Sequence, residues 1–328
     1  MTPSLRTGAG FHARTATLEA VRAHGKFFRC GNETWPVKGL TYGPFAPGES
    51  GEFLPTRLQV QSDLYEMRAL GANVVRLYHT PPAWLLDDAA QEGMRVFIDV
   101  PWQKHRCFLE DYETRDDALA RVREAAALAH HPAVFALSIA NEIPKDIVRF
   151  YGERRICGFL RNLIDAAKQR CPECLLTYTN YPSTEFLHPG PLDFMCFNVY
   201  LEDPERLGAY LDRLQHQAGT LPLVLGEHGL DSLRHGVASQ AEQLRRQVQQ
   251  VFARGLAGSF VFSYTDEWYA GGEQMHDWAF GVADAQRRPK PAALALRSAW
   301  SPAPALRAES LPSVSVVVCS YNGAATLE

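Results

Sequence analysis

Eight short runs of β-branched and aromatic residues, separated by longer amphipathic segments, constrain the fold of this chain more than any other feature. This alternation is typical of βαβ units arranged around a parallel sheet. The predicted strands lie at residues 37–42, 73–78, 95–100, 134–140, 175–179, 194–199, 223–226 and 259–264. Eight strands with helical connections close most naturally into a single (β/α)8 TIM barrel, an α/β fold, and an open doubly wound sheet is the alternative.

The segments between these strands repeat apolar residues three and four positions apart, which is the spacing of an amphipathic helix. They predict helices at residues 58–70, 83–91, 116–129, 147–169, 204–217 and 238–253. The link between the fifth and sixth strands is shorter and less helical. No glycine-rich phosphate-binding loop follows the first strand, and polar residues collect after many strands, so the pattern favours the barrel.

The pattern divides the chain into three parts. Residues 1–24 have no clear period, and we expect them to be poorly ordered. The barrel is predicted at 25–300, and it begins with a short β-hairpin around the turn at 30–32 that closes the barrel's bottom. A proline-rich linker and the first strand of a further domain are predicted at 301–328.

Two glutamates stand directly after predicted strands. Glu142 follows the fourth strand and Glu227 follows the seventh. A carboxylate at the end of a buried apolar strand is costly to desolvate, so it is rarely there without a partner or a task. Because the carboxyl ends of barrel strands meet at one mouth, we expect the two side chains to approach each other. Two carboxyl groups about 5–5.5 Å apart can cleave a glycosidic bond through a covalent intermediate.

Four motifs carry a family resemblance. They are Asn141-Glu142, the Arg-x-x-His spacing of Arg76 and His79, the segment His130-His131-Pro132-Ala133-Val134, and a closing segment at 281–292. Together they resemble the clan of retaining glycosidases with (β/α)8 barrels, and most of all the catalytic domain of glycoside hydrolase family 2. The resemblance runs from about residue 25 to residue 297.

The resemblance implies roles for the residues that match. Glu142 would be the acid/base, with its pKa raised by apolar surroundings and by the charge of Glu227, which would be the nucleophile. Asn141 would bind the sugar 2-hydroxyl, and Tyr200 would donate a hydrogen bond to the nucleophile. Arg76 would hold Glu227 charged and oriented.

Further side chains at the predicted strand ends are candidates for binding substrate. Trp268 would stack against a sugar ring, and an ordinary aromatic at the rim is the alternative. Asp99 is predicted either to bind sugar or to pair with a barrel Arg or Lys. His79 and His228 are predicted either to bind ligand or to be hydrogen-bonded core residues. Trp102 and Tyr42 are the remaining candidates of this group.

Composition excludes several other classes of function. Hydrophobic residues make up 46% of the 328 residues, charged residues 21%, and the net charge is −4, so no basic surface for nucleic acid is implied. The apolar runs are too short to span a membrane. Seven scattered cysteines favour a reduced, cytoplasmic setting. For the closely spaced pair Cys171 and Cys174, a structural role is favoured over metal binding. No cofactor or metal is predicted, because metal-binding and serine-nucleophile motifs are absent from the sequence.

The last residues suggest a covalently attached partner. Residues 311–324 read Leu-Pro-Ser-Val-Ser-Val-Val-Val-Cys-Ser-Tyr-Asn-Gly-Ala and resemble the opening strand of family 2 glycosyltransferases. We therefore expect an attached glycosyltransferase domain. About 35 residues precede the first barrel strand, where family 2 enzymes usually carry β-sandwich domains. The substrate pocket would then be built by barrel loops or by another domain. An open cleft that binds a polymer fits the sequence as well as a closed pocket does.

Three functions compete at this point. The leading hypothesis is a retaining β-glycoside hydrolase or transglycosylase acting on an oligo- or polysaccharide. The alternative is a catalytically weak or inactive glycan-binding barrel attached to a glycosyltransferase. A barrel aldolase or phosphate-binding isomerase would want a Schiff-base lysine or a phosphate site, and neither is visible.

Overall fold

The computed structural model describes residues 18–48 and 51–301, together with Ser315. It opens with a three-stranded antiparallel sheet of β1 (Val21–His24), β2 (Phe27–Cys30) and β3 (Glu33–Thr34). The predicted hairpin is the pair β2 and β3. β1 adds a strand within a segment expected to be poorly ordered, because it pairs with β2 across a tight turn at Gly25, where φ is +57°.

Eight parallel strands follow and form one closed barrel, which confirms the predicted (β/α)8 fold. The ring order is β10-β11-β4-β5-β6-β7-β8-β9. The strands are β4 (Val37–Thr41), β5 (Val74–Leu77), β6 (Arg95–Asp99), β7 (Val134–Asn141), β8 (Leu175–Asn180), β9 (Met195–Asn198), β10 (Leu223–His228) and β11 (Gly258–Val261). A short hairpin of β12 (Tyr269–Ala270) and β13 (Glu273–Gln274) follows β11.

Helices surround the barrel. They are α1 (Arg57–Ala69), α2 (Ala83–Gln91), α3 (Tyr112–Leu128), α4 (Lys145–Tyr151), α5 (Glu153–Arg170), α6 (Pro204–Ala218), α7 (Ser232–His235), α8 (Val237–Ala253) and α9 (Pro291–Trp300). The side chains of Thr56, Asp111 and Asp203 cap α1, α3 and α6 by accepting hydrogen bonds from backbone N–H groups of the first turn.

Of two unusual connections, one differs from the prediction and one agrees with it. The helix predicted at 147–169 is interrupted at Gly152, whose φ of +80° ends α4 and starts α5 in a new direction. The link between β8 and β9 contains only a 3-10 turn at Pro182–Thr184, as its weak helical pattern indicated.

Side chains alternate between the barrel interior and the helix layer, as strand geometry requires. On β5, Val74 lies in the interior cluster at the barrel bottom, while Val75 and Leu77 pack in the larger cluster under the helices. Phe28 of β2 closes the bottom, with its ring 5.1 Å from that of Phe135 and 5.4 Å from that of Phe194. The core therefore fills the lower barrel and leaves the upper interior to polar side chains.

Several predictions fall partly or wholly outside the described residues. These are the poorly ordered segment up to residue 17 and, apart from Ser315, the linker and glycosyltransferase-like strand at 302–328. Among the described residues, no helix has the length and apolar character needed to cross a membrane. The Sγ of Cys174 lies 3.0 Å from the carbonyl oxygen of Cys171, and the described ranges contain no cluster of three or more His, Cys, Asp or Glu side chains able to hold a metal ion.

Candidate active site

Arg76 occupies the centre of the barrel just above the apolar core. It lies two residues after Val74 on β5, so its side chain points inward, and it is fully buried. Its N–H groups donate to Asp99 Oδ2 at 2.5 Å, the Gly226 carbonyl at 2.6 Å, and the Oδ1 atoms of Asn141 and Asn198 at 3.2 Å. One guanidinium thus links the ends of β5, β6, β7, β9 and β10 and fixes the positions of the side chains above it.

Gly226 permits this close approach. A Cβ at this position would lie 2.6 Å from Asn198 Oδ1 and 3.0 Å from Arg76 Nη1. Real Cβ atoms do not come so close to such atoms, and both partners are held in place by the same network. The residue before Glu227 therefore has to be glycine for Arg76 to reach the end of β10.

Glu227 is held by three donors. Its Oε1 accepts from Tyr78 Oη at 2.8 Å and lies 3.2 Å from Arg76 Nη1, and its Oε2 accepts from Tyr200 Oη at 2.9 Å. Its side chain is only 10% exposed. Both oxygens are fixed in position and accept hydrogen bonds from these donors.

Burial and the charge of Glu227 raise the pKa values of Tyr78 and Tyr200 well above the ordinary tyrosine value. Both hydroxyl groups therefore stay protonated at neutral pH and remain hydrogen-bond donors. The residue Tyr200 as a whole is 43% exposed, and its hydroxyl group reaches the buried carboxylate of Glu227.

Glu142 stands on strained backbone at the end of β7. Its φ of +49° lies in the left-handed region, which costs a non-glycine residue about 1–3 kcal/mol. Its backbone N–H donates to the Thr179 carbonyl at 2.9 Å, and its Oε1 accepts from Asn198 Nδ2 at 2.7 Å. Burial and then the charge of Glu227 raise the pKa of Glu142 to about 7. The two glutamates thus experience opposite environments within one site.

Local shifts in strand register redirect side chains at the ends of β7 and β10. On β7, Ile139 and Ala140 both pack in the outer core cluster, and the pairing with β8 shifts between Ser138 and Asn141. On β10, the pairing with β9 shifts between Leu225 and Glu227. Bulges of this kind commonly redirect side chains beside active sites. Strict alternation from Val224 would direct Glu227 to the helix layer, so the shift on β10 turns it inward, whereas the shift on β7 brings Asn141 to the barrel interior.

The two glutamates line one cavity of about 710 Å³ at the barrel mouth. Asn141, Asn198, Tyr78 and Tyr200 line it beside them, and its upper wall is aromatic, formed by Phe262, Trp268, Trp278 and Phe280. The ring of Trp268 lies 5.0 Å from that of Tyr78 and 6.1 Å from that of Trp278. A polar floor under flat aromatic walls suits a ligand with hydroxyl groups and apolar faces.

The structure brings many of the predicted site residues together. Those that line the cavity are Glu142, Glu227, Asn141, Tyr200 and Trp268. Arg76 and Asp99 lie beneath it, and Asp99 is the carboxylate partner of a barrel arginine, which was the alternative interpretation of this residue. With its side chain only 4% exposed, Asp99 positions Arg76 and does not contact the cavity.

Three residues predicted as candidates for substrate binding lie in the outer core and do not line the cavity. Tyr42 is buried and donates to Asp63 Oδ2 at 2.7 Å. Trp102 donates to the Ile139 carbonyl at 2.8 Å and packs on buried phenylalanines. Each follows the end of a strand at a position where its ring faces the helix layer.

His228 is the third. Its Nδ1 lies 3.0 Å from Gln247 Oε1 and its Nε2 lies 3.0 Å from Ser259 Oγ, so both ring nitrogens are occupied. The side chain is fully buried, and burial lowers its pKa to about 4. His228 therefore corresponds to the alternative of a hydrogen-bonded core histidine. His79 also lies away from this cavity and lines a neighbouring one.

Two residues that contact the glutamates were not among the predicted site residues. Tyr78 lies two positions after Arg76 on the same side of the chain, and this spacing is the signal that could have identified it. Asn198 ends β9 in the same way that Asn141 ends β7. Trp278 and Phe280 come from a loop distant in sequence, and no local pattern marks them.

The fold and sequence together make the chain a (β/α)8 barrel similar to those of family 2 glycoside hydrolases. No protein-family profile matches the chain. A β-glucuronidase from Paenibacillus borealis is 25% identical over 319 residues, covering 86% of this chain and 52% of that protein. Among solved structures, a GH2 β-galacturonidase from Eisenbergiella tayi superposes with a TM-score of 0.73 at 19% identity, covering 86% of this chain and 53% of that one. The β-glucuronidase from Ruminococcus gnavus gives a TM-score of 0.73 at 21% identity, with the same coverage. The chain spans about half the length of the relatives that it matches.

Proposed function

We propose that this chain is a retaining β-glycosidase that acts on a β-linked glycan through a covalent intermediate. Glu227 is the nucleophile and Glu142 is the acid/base. The observation that carries the proposal is that two glutamates share one cavity in opposite environments. Glu227 is held by Arg76 and two tyrosines, whereas the pKa of Glu142 is raised to about 7. Paired carboxyl groups with separated proton affinities are what acid/base and nucleophilic roles require.

In the first step the protonated carboxyl of Glu142 donates its proton to the glycosidic oxygen. A carboxylate oxygen of Glu227 bonds to the anomeric carbon as the bond from that carbon to the glycosidic oxygen breaks. The leaving group departs as an alcohol, and the sugar stays attached to Glu227 as an ester. Loss of the negative charge of Glu227 removes one cause of the raised pKa of Glu142, so Glu142 becomes a base for the next step.

In the second step Glu142 accepts a proton from an incoming water molecule or sugar hydroxyl. The resulting oxygen nucleophile attacks the anomeric carbon and releases Glu227 as a carboxylate. Attack by water gives hydrolysis, and attack by a sugar hydroxyl gives transglycosylation. The same two glutamates serve both reactions, so the choice depends on the acceptor that the cavity binds.

Neighbouring side chains support both steps. Asn141 Oδ1 accepts from Arg76 and from Asn198, an arrangement that orients the Asn141 amide and directs its NH₂ group away from them. We assign that group to a sugar hydroxyl beside the anomeric carbon. Trp268 provides a flat face in the cavity wall for the apolar side of the sugar ring.

The alternative, a glycan-binding barrel without activity, leaves the polar network unexplained. Burying Arg76, Asp99 and Glu227 together carries a desolvation cost of several kcal/mol per ion, which sugar binding alone does not require. A glycosyltransferase attached through residues 301–328 and a cytoplasmic location remain predictions from the sequence. If the attached domain is present, the barrel would trim, branch or transfer the glycan that this domain handles.

The test compares wild type with Glu227→Ala and Glu142→Ala on a panel of aryl β-glycosides. We expect kcat of Glu227→Ala to fall at least about 10⁴-fold, because the covalent step is lost. Glu142→Ala should keep more activity on substrates with activated leaving groups, and added azide should rescue it by attacking the intermediate. The matched control is Glu205→Ala, an exposed glutamate in the first turn of α6.

The intermediate itself provides a second readout. A 2-deoxy-2-fluoro aryl β-glycoside should label the wild-type peptide that contains Glu227, as measured by mass spectrometry, and should leave Glu227→Ala unlabelled. Equal activity in the four proteins, or a label on another residue, would discard the mechanism.

A further inference from the structure

A second cavity of about 550 Å³ lies beside the catalytic one, and the two share Tyr78. The loop after β4 contributes Pro44 and Phe53, the loop after β5 contributes His79, and the hairpin after β11 contributes Tyr269. The Tyr269 backbone N–H donates to the Pro44 carbonyl at 2.9 Å, which joins two of these loops. We call this cavity the His79 pocket. The mechanism proposed above makes no use of it.

His79 contributes unsatisfied polar atoms to an otherwise apolar pocket. Both of its ring nitrogens are buried and have no hydrogen-bond partner among the described residues. Burial lowers its pKa to about 4, so at neutral pH the ring is uncharged, with one N–H donor and one acceptor nitrogen. A buried group of this kind is destabilising when it stays unpaired. A sugar hydroxyl bound beside either nitrogen would supply one of the two missing partners, because a hydroxyl can both donate and accept.

The aromatic side chains of the pocket suit the other part of a sugar ring. Phe53 is 40% exposed, and its ring lies 6.2 Å from that of Tyr269 and 6.5 Å from that of His79. Exposed aromatic faces beside a polar group bind the apolar C–H face of a pyranose well. Arg121 at the pocket edge donates to Asp117 Oδ2 at 2.7 Å, so its charge is already paired. The pocket therefore fits a neutral sugar ring better than an anionic one.

The position of the pocket around the barrel indicates which part of the glycan it would receive. Glu142 ends β7, and the leaving oxygen that it protonates must lie beside it, so the departing part of the substrate lies on the β7 side. Pro101 after β6 lines one edge of the His79 pocket, but most of its lining comes from the loops after β11, β4 and β5, which lie two or more strands away from β7 in the ring. The pocket therefore lies on the same side of the cleaved bond as the sugar that stays attached to Glu227.

We infer that the His79 pocket binds a second, neutral sugar ring on the non-leaving side of the cleaved bond. The substrate would then be an oligo- or polysaccharide with at least two sugar units on that side of the bond. This inference rests on the proposed function and names the substrate class of the same site. An enzyme that removes single terminal sugars needs no such pocket.

The test compares aryl glycosides of one and two sugars. The probes are the 4-nitrophenyl β-glycosides of glucose, galactose and mannose, and the matching disaccharides, including the cellobioside, laminaribioside and mannobioside. For the sugar that is accepted, we expect kcat/KM to be at least about tenfold higher for the disaccharide, the effect of about 1.4 kcal/mol of added binding. Phe53→Ala and His79→Gln should each reduce that ratio about tenfold. Phe150→Ala, an exposed phenylalanine outside both cavities, is the control.

The outcomes separate the two proposals. Equal kcat/KM on one- and two-sugar substrates, or parallel losses on both in Phe53→Ala, would overturn the pocket and leave the glycosidase mechanism standing. If no aryl glycoside is cleaved, the mechanism fails, and calorimetric titration with cello-, laminari- and manno-oligosaccharides decides the pocket. Affinity that rises with chain length in wild type but not in Phe53→Ala would support it. Affinity independent of length, or no binding, would overturn it.

Discussion

The two ends of the barrel are built from the same strands and have opposite chemistry. At the bottom, Phe97 of β6 and Phe194 just before β9 pack with Phe28 and are fully buried. On β6, Asp99 comes two residues after Phe97. On β5, Arg76 comes two residues after Val74. Every second side chain of a strand points into the barrel interior. The next interior position along these strands therefore changes the lining from apolar to ionic.

This contrast shows how the molecule separates stability from reactivity. The bottom gains free energy from apolar surface removed from water, so its contribution depends mainly on volume and shape. The top buries charges that are tolerable only because each has its partner, so removing one leaves another unpaired. Substitutions at the bottom should therefore change folding and spare chemistry, whereas substitutions at the top should affect both.

The largest effect is expected at the top, from Arg76→Met. This change leaves Asp99 and Glu227 without their shared cation in a buried site, and it should lower the free energy of unfolding by about 3–5 kcal/mol. On folded protein, kcat/KM should also fall, by about 10³-fold or more, since Glu227 loses its orientation. Denaturant unfolding and steady-state kinetics measure the two losses.

The control for that prediction is Arg155→Met, which removes an ion pair with Glu110 in which both side chains are more than half exposed. It should leave the free energy of unfolding close to that of wild type and kcat/KM within about twofold. An equal loss of stability in the two variants would contradict the contrast between the two ends, since it would show that the central network gains nothing from its burial.

At the bottom, Phe194→Ala removes a ring that contacts Phe28, Phe97 and Phe135. The cavity should lower the free energy of unfolding by about 3–5 kcal/mol, measured by urea titration. At temperatures where the variant stays folded, kcat should remain within about twofold of wild type. A drop in kcat of a hundredfold in fully folded protein would show that the two ends are coupled and would break the comparison.

The smallest expected effect concerns the pH dependence of the top. The pKa of Glu142 is raised to about 7, and Glu142 must carry a proton to act as the acid, so kcat/KM should fall about tenfold for each pH unit above 7. Glu142→Gln should abolish this alkaline limb. A wild-type rate that stays flat from pH 6 to about 9 would contradict the assignment of Glu142 as acid.

The same pKa shift has a consequence for stability. Between the ordinary value of 4.5 and about 7, folded Glu142 keeps a proton that the unfolded chain has lost. The free energy of unfolding should therefore decrease as pH rises through this range and become constant above it. In Glu142→Gln this contribution disappears, so the variant should gain stability relative to wild type at pH 8, by about 1–3 kcal/mol. Urea titrations at pH 5 and pH 8 check the sign.

The sequence pattern predicted the eight strands and the two glutamates because both are local signals. A buried strand needs a run of apolar residues, and a carboxylate directly after such a run is visible without knowledge of the fold. What the sequence does not show is the direction of side chains. Tyr42, Trp102 and His228 follow strand ends, as the residues that line the cavity do, but they face the helix layer. Tyr78 was overlooked in favour of the adjacent His79, which lies one position further along and faces the neighbouring pocket.

By itself, then, the sequence determined the class of the fold, the order of its elements and the pair of acidic residues, since each depends on neighbours within a few positions. The tertiary structure decided which side chains meet. Asn198 reaches Glu142 across 56 positions of sequence and Arg76 reaches the Gly226 carbonyl across 150. Shifts of register turn Asn141 inward on β7 and Glu227 inward on β10. Such contacts follow from barrel closure, which brings distant strand ends to one place, and no local periodicity encodes them.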